Sequence, residues 1–135
     1  MDGMAALRVV YLADTGVTAL VPPARIIVDD ALPQDTVLPA ILISLVSGRD
    51  LNIADPGDTV FITQRILTQV YAASLPQRES LIRAVRRAQF ANRFPVVPGI
   101  STVTVHTDGR APNIMTEEFV RVGNQYSIVT YNQER

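Results

Sequence analysis

One histidine, no cysteine and a scatter of carboxylates limit what this 135-residue chain could catalyse. His106 lies in an alternating apolar stretch, and a zinc site there would lack further ligands at metal spacing. A lone imidazole in that setting reads as a packed or surface side chain in preference to a base. Asp50-Leu51-Asn52-Ile53-Ala54-Asp55-Pro56-Gly57-Asp58 has the acidic density of a calcium loop. It lacks the alternation of oxygen ligands and the closing bidentate glutamate, so a turn-forming, solvated loop accounts for it better. Asp29-Asp30 and Glu117-Glu118 are adjacent pairs. Neighbours in an extended chain point to opposite faces, so neither pair converges as general acid and base. Gly48, Gly57, Gly99, Gly109 and Gly123 each stand alone, leaving no phosphate-cradling loop, and no nucleophile elbow supports a Ser-His-Asp triad. The expectation is a protein that is not an enzyme and carries no cofactor or metal.

The remaining chemistry is that of arginine. All twelve Lys+Arg residues are arginine. That is the planar cation favoured in protein interfaces and against phosphate, although a GC-rich genome would produce the same bias. The charge is also polarised along the chain. Residues 1–58 carry eight aspartates against Arg8, Arg25 and Arg49, a net −5. Residues 59–98 carry six arginines against Glu79, a net +5, and the remainder carries −1. Arg83, Arg86 and Arg87 fall on the face of a helix turned away from Leu81, Ile82, Val85 and Ala88. Phe90 projects among them if the helix continues that far. One reading is a solvated face with a Glu79–Arg83 pair one turn apart. The other is a protein or nucleic-acid contact surface, which as a subunit interface would set Arg83, Arg86, Arg87 and Phe90 against Asp29, Asp30, Asp50, Asp55 and Asp58 of a second copy.

The elements that must carry these residues can be read from periodicity and breakers. Met4, Leu7, Val10 and Tyr11 have helical spacing, and Asp14 is placed to cap a second short turn before Pro22-Pro23 stops it. A short extended piece at Arg25 to Val28 precedes an Asp- and Pro-rich loop over 29–38. Pro39 opens a strand through Val46, nearly continuous in apolar residues and so covered on both faces. Residues 47–58 read as a long loop. Thr59 to Ala72 alternates, with Val60, Ile62, Ile66 and Val70 on one side and Phe61, Arg65, Gln69 and Tyr71 on the other. Ser74, Pro76 and Gln77 form the opening of a helix with a capping box, ended before Pro95. A strand over Ile100 to His106, a turn at Asp108-Gly109, a loop holding Pro112 and a last strand from Glu117 to Tyr131 complete the chain. The expected fold class is α+β, a mixed, mainly antiparallel sheet with helices packed on one face.

A hydrophobic fraction of 47% with 19% charged residues excludes a disordered or fibrous chain, and the length suits one domain over 1–135. The longest apolar run, Leu38 to Val46, is too short to cross a bilayer, and no leader pattern opens the sequence, so no membrane partner is expected. With no cysteine for a disulfide, a cytosolic origin is the simplest reading.

Several short stretches together bring a family into view. Met4-Ala5-Ala6-Leu7, then Asp14-Thr15-Gly16-Val17-Thr18-Ala19-Leu20-Val21, then Arg25-Ile26, resemble the opening of the phage tail terminator (tail completion) family. Leu38-Pro39-Ala40-Ile41-Leu42-Ile43 is similar to the start of its first long strand. Val70-Tyr71-Ala72-Ala73-Ser74 is similar to its strand-to-helix junction, and Tyr126-Ser127-Ile128-Val129 to its late strand. The arginine-rich helix and the extended 47–58 loop depart from the pattern. The resemblance implies a virion structural protein of the tail or neck, assembled in the host cytoplasm, with no catalytic residues. It implies a homo-hexameric ring on the last ring of the tail tube protein, which stops tube growth and presents a surface to the head-tail connector. DNA would pass through such a ring without sequence-specific binding. Another neck or connector protein, a small-ligand-binding regulatory domain, and a hydrolase using dispersed carboxylates remain as alternatives.

Overall fold

Tyr71-Ala72-Ala73-Ser74 marks the junction where the 14-residue alternating strand Thr59–Ala72 gives way to the 17-residue helix Leu75–Ala91. The computed structural model describes residues 2–33, 36–51, 59–97, 101–115 and 120–134. In chain order these form α1 (Asp2–Ala13), α2 (Thr15–Thr18), a 3-10 turn (Pro23–Arg25), β1 (Ile26–Val28), β2 (Ala40–Leu51), β3 (Thr59–Ala72), α3 (Leu75–Ala91), β4 (Ser101–Met115) and β5 (Arg121–Glu134). The five strands make one sheet in the order β1-β2-β3-β5-β4. Only β1 and β2 run parallel, and every other neighbouring pair is antiparallel. The α+β expectation therefore holds.

Both α1 and α3 pack on one face. Ala6, Leu7, Val10 and Tyr11 of α1 meet Ile41, Ile43, Ile66 and Val70 of the sheet, together with Leu81, Ile82, Val85 and Ala88 of α3. A fully buried Leu, Ile or Val side chain of this kind contributes about 1.5–3 kcal/mol, and chain entropy offsets most of the sum. Close approach of α3 depends on Gly123 in β5, where a Cβ would come within 2.8 Å of Ile82 Cγ1 and 3.0 Å of Val70 Cγ2. The opposite face is more polar and half-exposed. There Arg65 lies 4.1 Å from the centre of the Tyr126 ring and 3.1 Å from Asp108.

A chain of buried hydrogen bonds joins the helices to the sheet. Ser127 Oγ donates to Gln89 Oε1 at 2.8 Å, and Gln89 Nε2 donates to the Tyr11 hydroxyl at 2.8 Å. That hydroxyl shares a 2.7 Å bond with Thr68 Oγ1. The network touches α1, α3, β3 and β5, so their relative positions are tied through one set of polar groups that must all be satisfied.

Two expected loops are strand where the structure describes them, residues 52–58 of the first lying outside the described residues. Ser47 to Leu51 continue β2 and pair with Arg65 to Phe61, after a register shift between Leu45 and Ser47. An extra residue at such a bulge lets a strand absorb Val46 and carry on through breakers such as Gly48. Likewise β4 runs through Asp108-Gly109 and Pro112 to Met115, with register shifts between Thr107 and Arg110 and between Ala111 and Ile114. As the edge strand it tolerates a proline, and Gly109 takes φ +87°, which suits an irregular position. The last described strand is Arg121–Glu134, running past the expected end at Tyr131, while the expected start at Glu117 lies outside the described residues.

Candidate assembly surface

The arginines of α3 are placed by the way the helix begins and by what it buries. Ser74 Oγ accepts from the Gln77 amide at 3.4 Å, and Gln77 Oε1 accepts from the Ala73 amide at 2.9 Å. The capping residues are those expected, with the return bond made one residue further out. Leu81, Ile82, Ala84, Val85, Ala88 and Gln89 then face inward, so the outer side is settled by the 3.6-residue repeat.

Of the four arginines of that helix Arg78 is buried, and the other three have different surroundings. Arg83 is exposed. Arg87 is also exposed, and its Nη2 lies 2.6 Å from where a Cβ on Gly16 would sit, beside the Asp14 carboxylate that caps α2. Arg86 turns back toward the sheet and donates to Gln125 Oε1 at 2.8 Å. It is only 40° round the helix from Ile82, so it flanks the buried stripe. Glu79 pairs with Arg78 at 3.2 Å and with Arg110 at 3.6 Å, in place of the Arg83 partner expected one turn on. Because α3 continues to Ala91, Phe90 does project on the arginine side, half-exposed, with Arg93 5.7 Å from its ring centre.

The acidic residues divide in the same way. Asp29 and Asp30 are exposed just after β1. The Asp29 amide donates to the Ile43 carbonyl at 3.2 Å, and the Asp30 amide donates to Asp29 Oδ1 at 2.7 Å. Asp50 has its backbone in β2, paired with Ile62. Asp55 and Asp58 lie outside the described residues. His106 is exposed in β4. Among the described residues no group of three or more His, Cys, Asp or Glu could hold a metal ion, and no helix is long and apolar enough to cross a membrane.

Sequence reading missed four exposed apolar side chains. Phe94 and Val96 follow α3 at 71% and 90% exposure, and Leu45 and Val46 lie at the β2 bulge. The only signal for the first two was apolar character next to breakers, Phe94 just before Pro95 and Val96 between Pro95 and Pro98. It also missed a cleft of about 520 Å³ between α1 and β1, lined by Ala5, Arg8, Val9 and Ile26 to Val28. Its charged group, Arg8, already donates to the Ile26 carbonyl at 3.0 Å. A ligand pocket needs several convergent polar groups, so the cleft does little for the small-ligand alternative.

Residues 5–110 match the family described as tail completion protein gp17. No curated protein matches the sequence. Among solved structures, the fold is similar to a chain in the virion of a native gene transfer agent particle, with a TM-score of 0.63. That match covers 96% of this chain and 93% of the other at 19% identity, a level at which the fold is what the two share.

Proposed function

The chain belongs to the tail completion protein gp17 family, structural proteins of the phage tail, and from that premise we propose that it closes the tail tube as a ring of six copies. The ring stops further addition of tube subunits and presents its outer surface to the head-tail connector. DNA passes through its lumen and is met by sequence-blind electrostatics alone. The work of the protein is binding, to itself and to its neighbours in the tail, and not turnover of a substrate.

The family match over most of the chain carries this reading. Exposure of Phe90, Phe94 and Val96 beside arginines adds to it, since aromatic residues and arginine are enriched where proteins meet. A small domain can stay monomeric in free solution and still form a ring on a template, because the tube holds neighbouring copies at high effective concentration.

The test is a particle reconstruction of tails completed with this protein. Six copies at the end of the tube, and tails that overgrow and fail to join heads without it, are the expected result. Any other copy number there rejects the ring as stated.

A further inference from the structure

Two unlike surfaces occupy opposite edges of the sheet. On one edge β1 covers β2 only at Ile41 to Ile43. The Asp29 amide extends that cover by one bond to the Ile43 carbonyl, and from Ser44 onward β2 has β3 as its sole partner among the described strands. Here Leu45 and Val46 are 43% and 45% exposed, with the exposed Asp29 and Asp30 beside the start of the open stretch. On the other edge the Val105 amide of β4 donates outward to the Arg93 carbonyl at 2.8 Å. That bond lays the segment after α3 along β4 and turns Phe94 and Val96 out to solvent, next to Phe90 and Arg93.

Single exposed apolar residues are ordinary, but clusters flanked by charge mark contact surfaces. Each cluster here has an apolar centre, one with an acidic flank and the other with a basic flank. A closed ring requires one patch on each copy to bind a different patch on the next. Resting on the ring reading above, we infer that the subunit contact is made by Leu45, Val46 and Asp30 of one copy against Phe94, Val96 and Arg93 of its neighbour. The occupant of each surface is therefore a second copy of this chain. The apolar centres supply the attraction, and the opposite charges fix orientation and repel a reversed approach. The arginines of α3 are then at the margin of the contact, with its centre at the segment that follows the helix.

The absence of cysteine makes this directly testable with full-length protein completing tail tubes. Val46→Cys and Val96→Cys are introduced singly and together, and assembled tails are treated with a short bis-maleimide. Within one copy the two edges are three strand spacings apart, about 14 Å, beyond a short linker. The double variant is expected to give a covalent ladder up to the copy number of the ring, and each single variant none. Adding Phe94→Glu to the double variant removes the ladder while leaving the circular dichroism and unfolding midpoint of the monomer unchanged. A ring visible by microscopy with no ladder overturns this contact and leaves the ring reading intact. Dimers from a single-cysteine variant also overturn it, because they report a two-fold contact. If the unaltered protein forms no ring on tubes, the ring reading fails and this inference with it.

Discussion

Tyr11 has no exposed surface, and its hydroxyl is held between Thr68 and Gln89. Burial pushes its pKa far above the ordinary phenol value, against the smaller pull of the two hydrogen bonds. Burial raises that of Tyr71 in the same direction. A raised pKa in the folded state means that folding favours the protonated form. The contribution is complete below the unfolded tyrosine value of about 10, and is lost as pH rises above it and the unfolded chain sheds its proton. Urea unfolding should therefore show stability falling from about pH 9 to pH 11, with a shallower fall in Tyr11→Phe. At neutral pH that variant should lose about 1–3 kcal/mol, because Thr68 and Gln89 keep their polar groups in the core with a partner removed. An unchanged slope would mean that Tyr11 reaches solvent.

At the scale of the element, α3 divides its arginines between two tasks. Arg86 satisfies Gln125, which is fully buried, so Arg86→Ala should lower the monomer's unfolding stability by about 1–3 kcal/mol. Arg83 is exposed, and Arg83→Ala should shift stability by no more than about 0.5 kcal/mol. Denaturant midpoints of the two variants, measured side by side, check the distinction. Equal effects would show that Arg86 is as solvated as Arg83. A charge-reversal experiment on the whole arginine cluster would confuse the two tasks, since Glu at position 86 would disturb the fold before any assembly could be judged.

Across the whole molecule, stability should be graded from the middle of the sheet outward. β3 and β5 have a neighbour on both sides and α3 above them, whereas β1 is three residues long and holds only the start of β2. Native-state amide exchange of the free monomer should be slowest in β3 and β5. It should be fastest in β1 and in the stretch of β2 from Ser44 to Leu51. Comparable protection of that stretch in the monomer would mean that its edge is covered before assembly. A low-stability edge of this kind also keeps an unpaired strand exposed, a hazard that other proteins blunt with charge or cover.

The sequence by itself determined the elements whose causes are local. Asp14 and Ser74 cap the helices in the places their side chains allow, and the period-two pattern of residues 59–72 sets both the extent of β3 and its two faces. The order of helices and strands, and the α+β class, follow from the same local signals. Short stretches such as Val70-Tyr71-Ala72-Ala73-Ser74 sufficed to point to the family that residues 5–110 match. What only the tertiary structure decided depends on partners distant in the chain. Gly48, Asp108-Gly109 and Pro112 are breakers when read locally, yet β3 and β5 supply ladder hydrogen bonds that hold their segments extended through bulges. Arg86 sits on the flank of the buried stripe on a helical wheel, and the position of Gln125, 39 residues away, draws it inward. The exposure of Phe94 and Val96 has the same origin. It follows from the Arg93 carbonyl reaching the edge of β4, a bond between segments that no periodicity along the chain encodes.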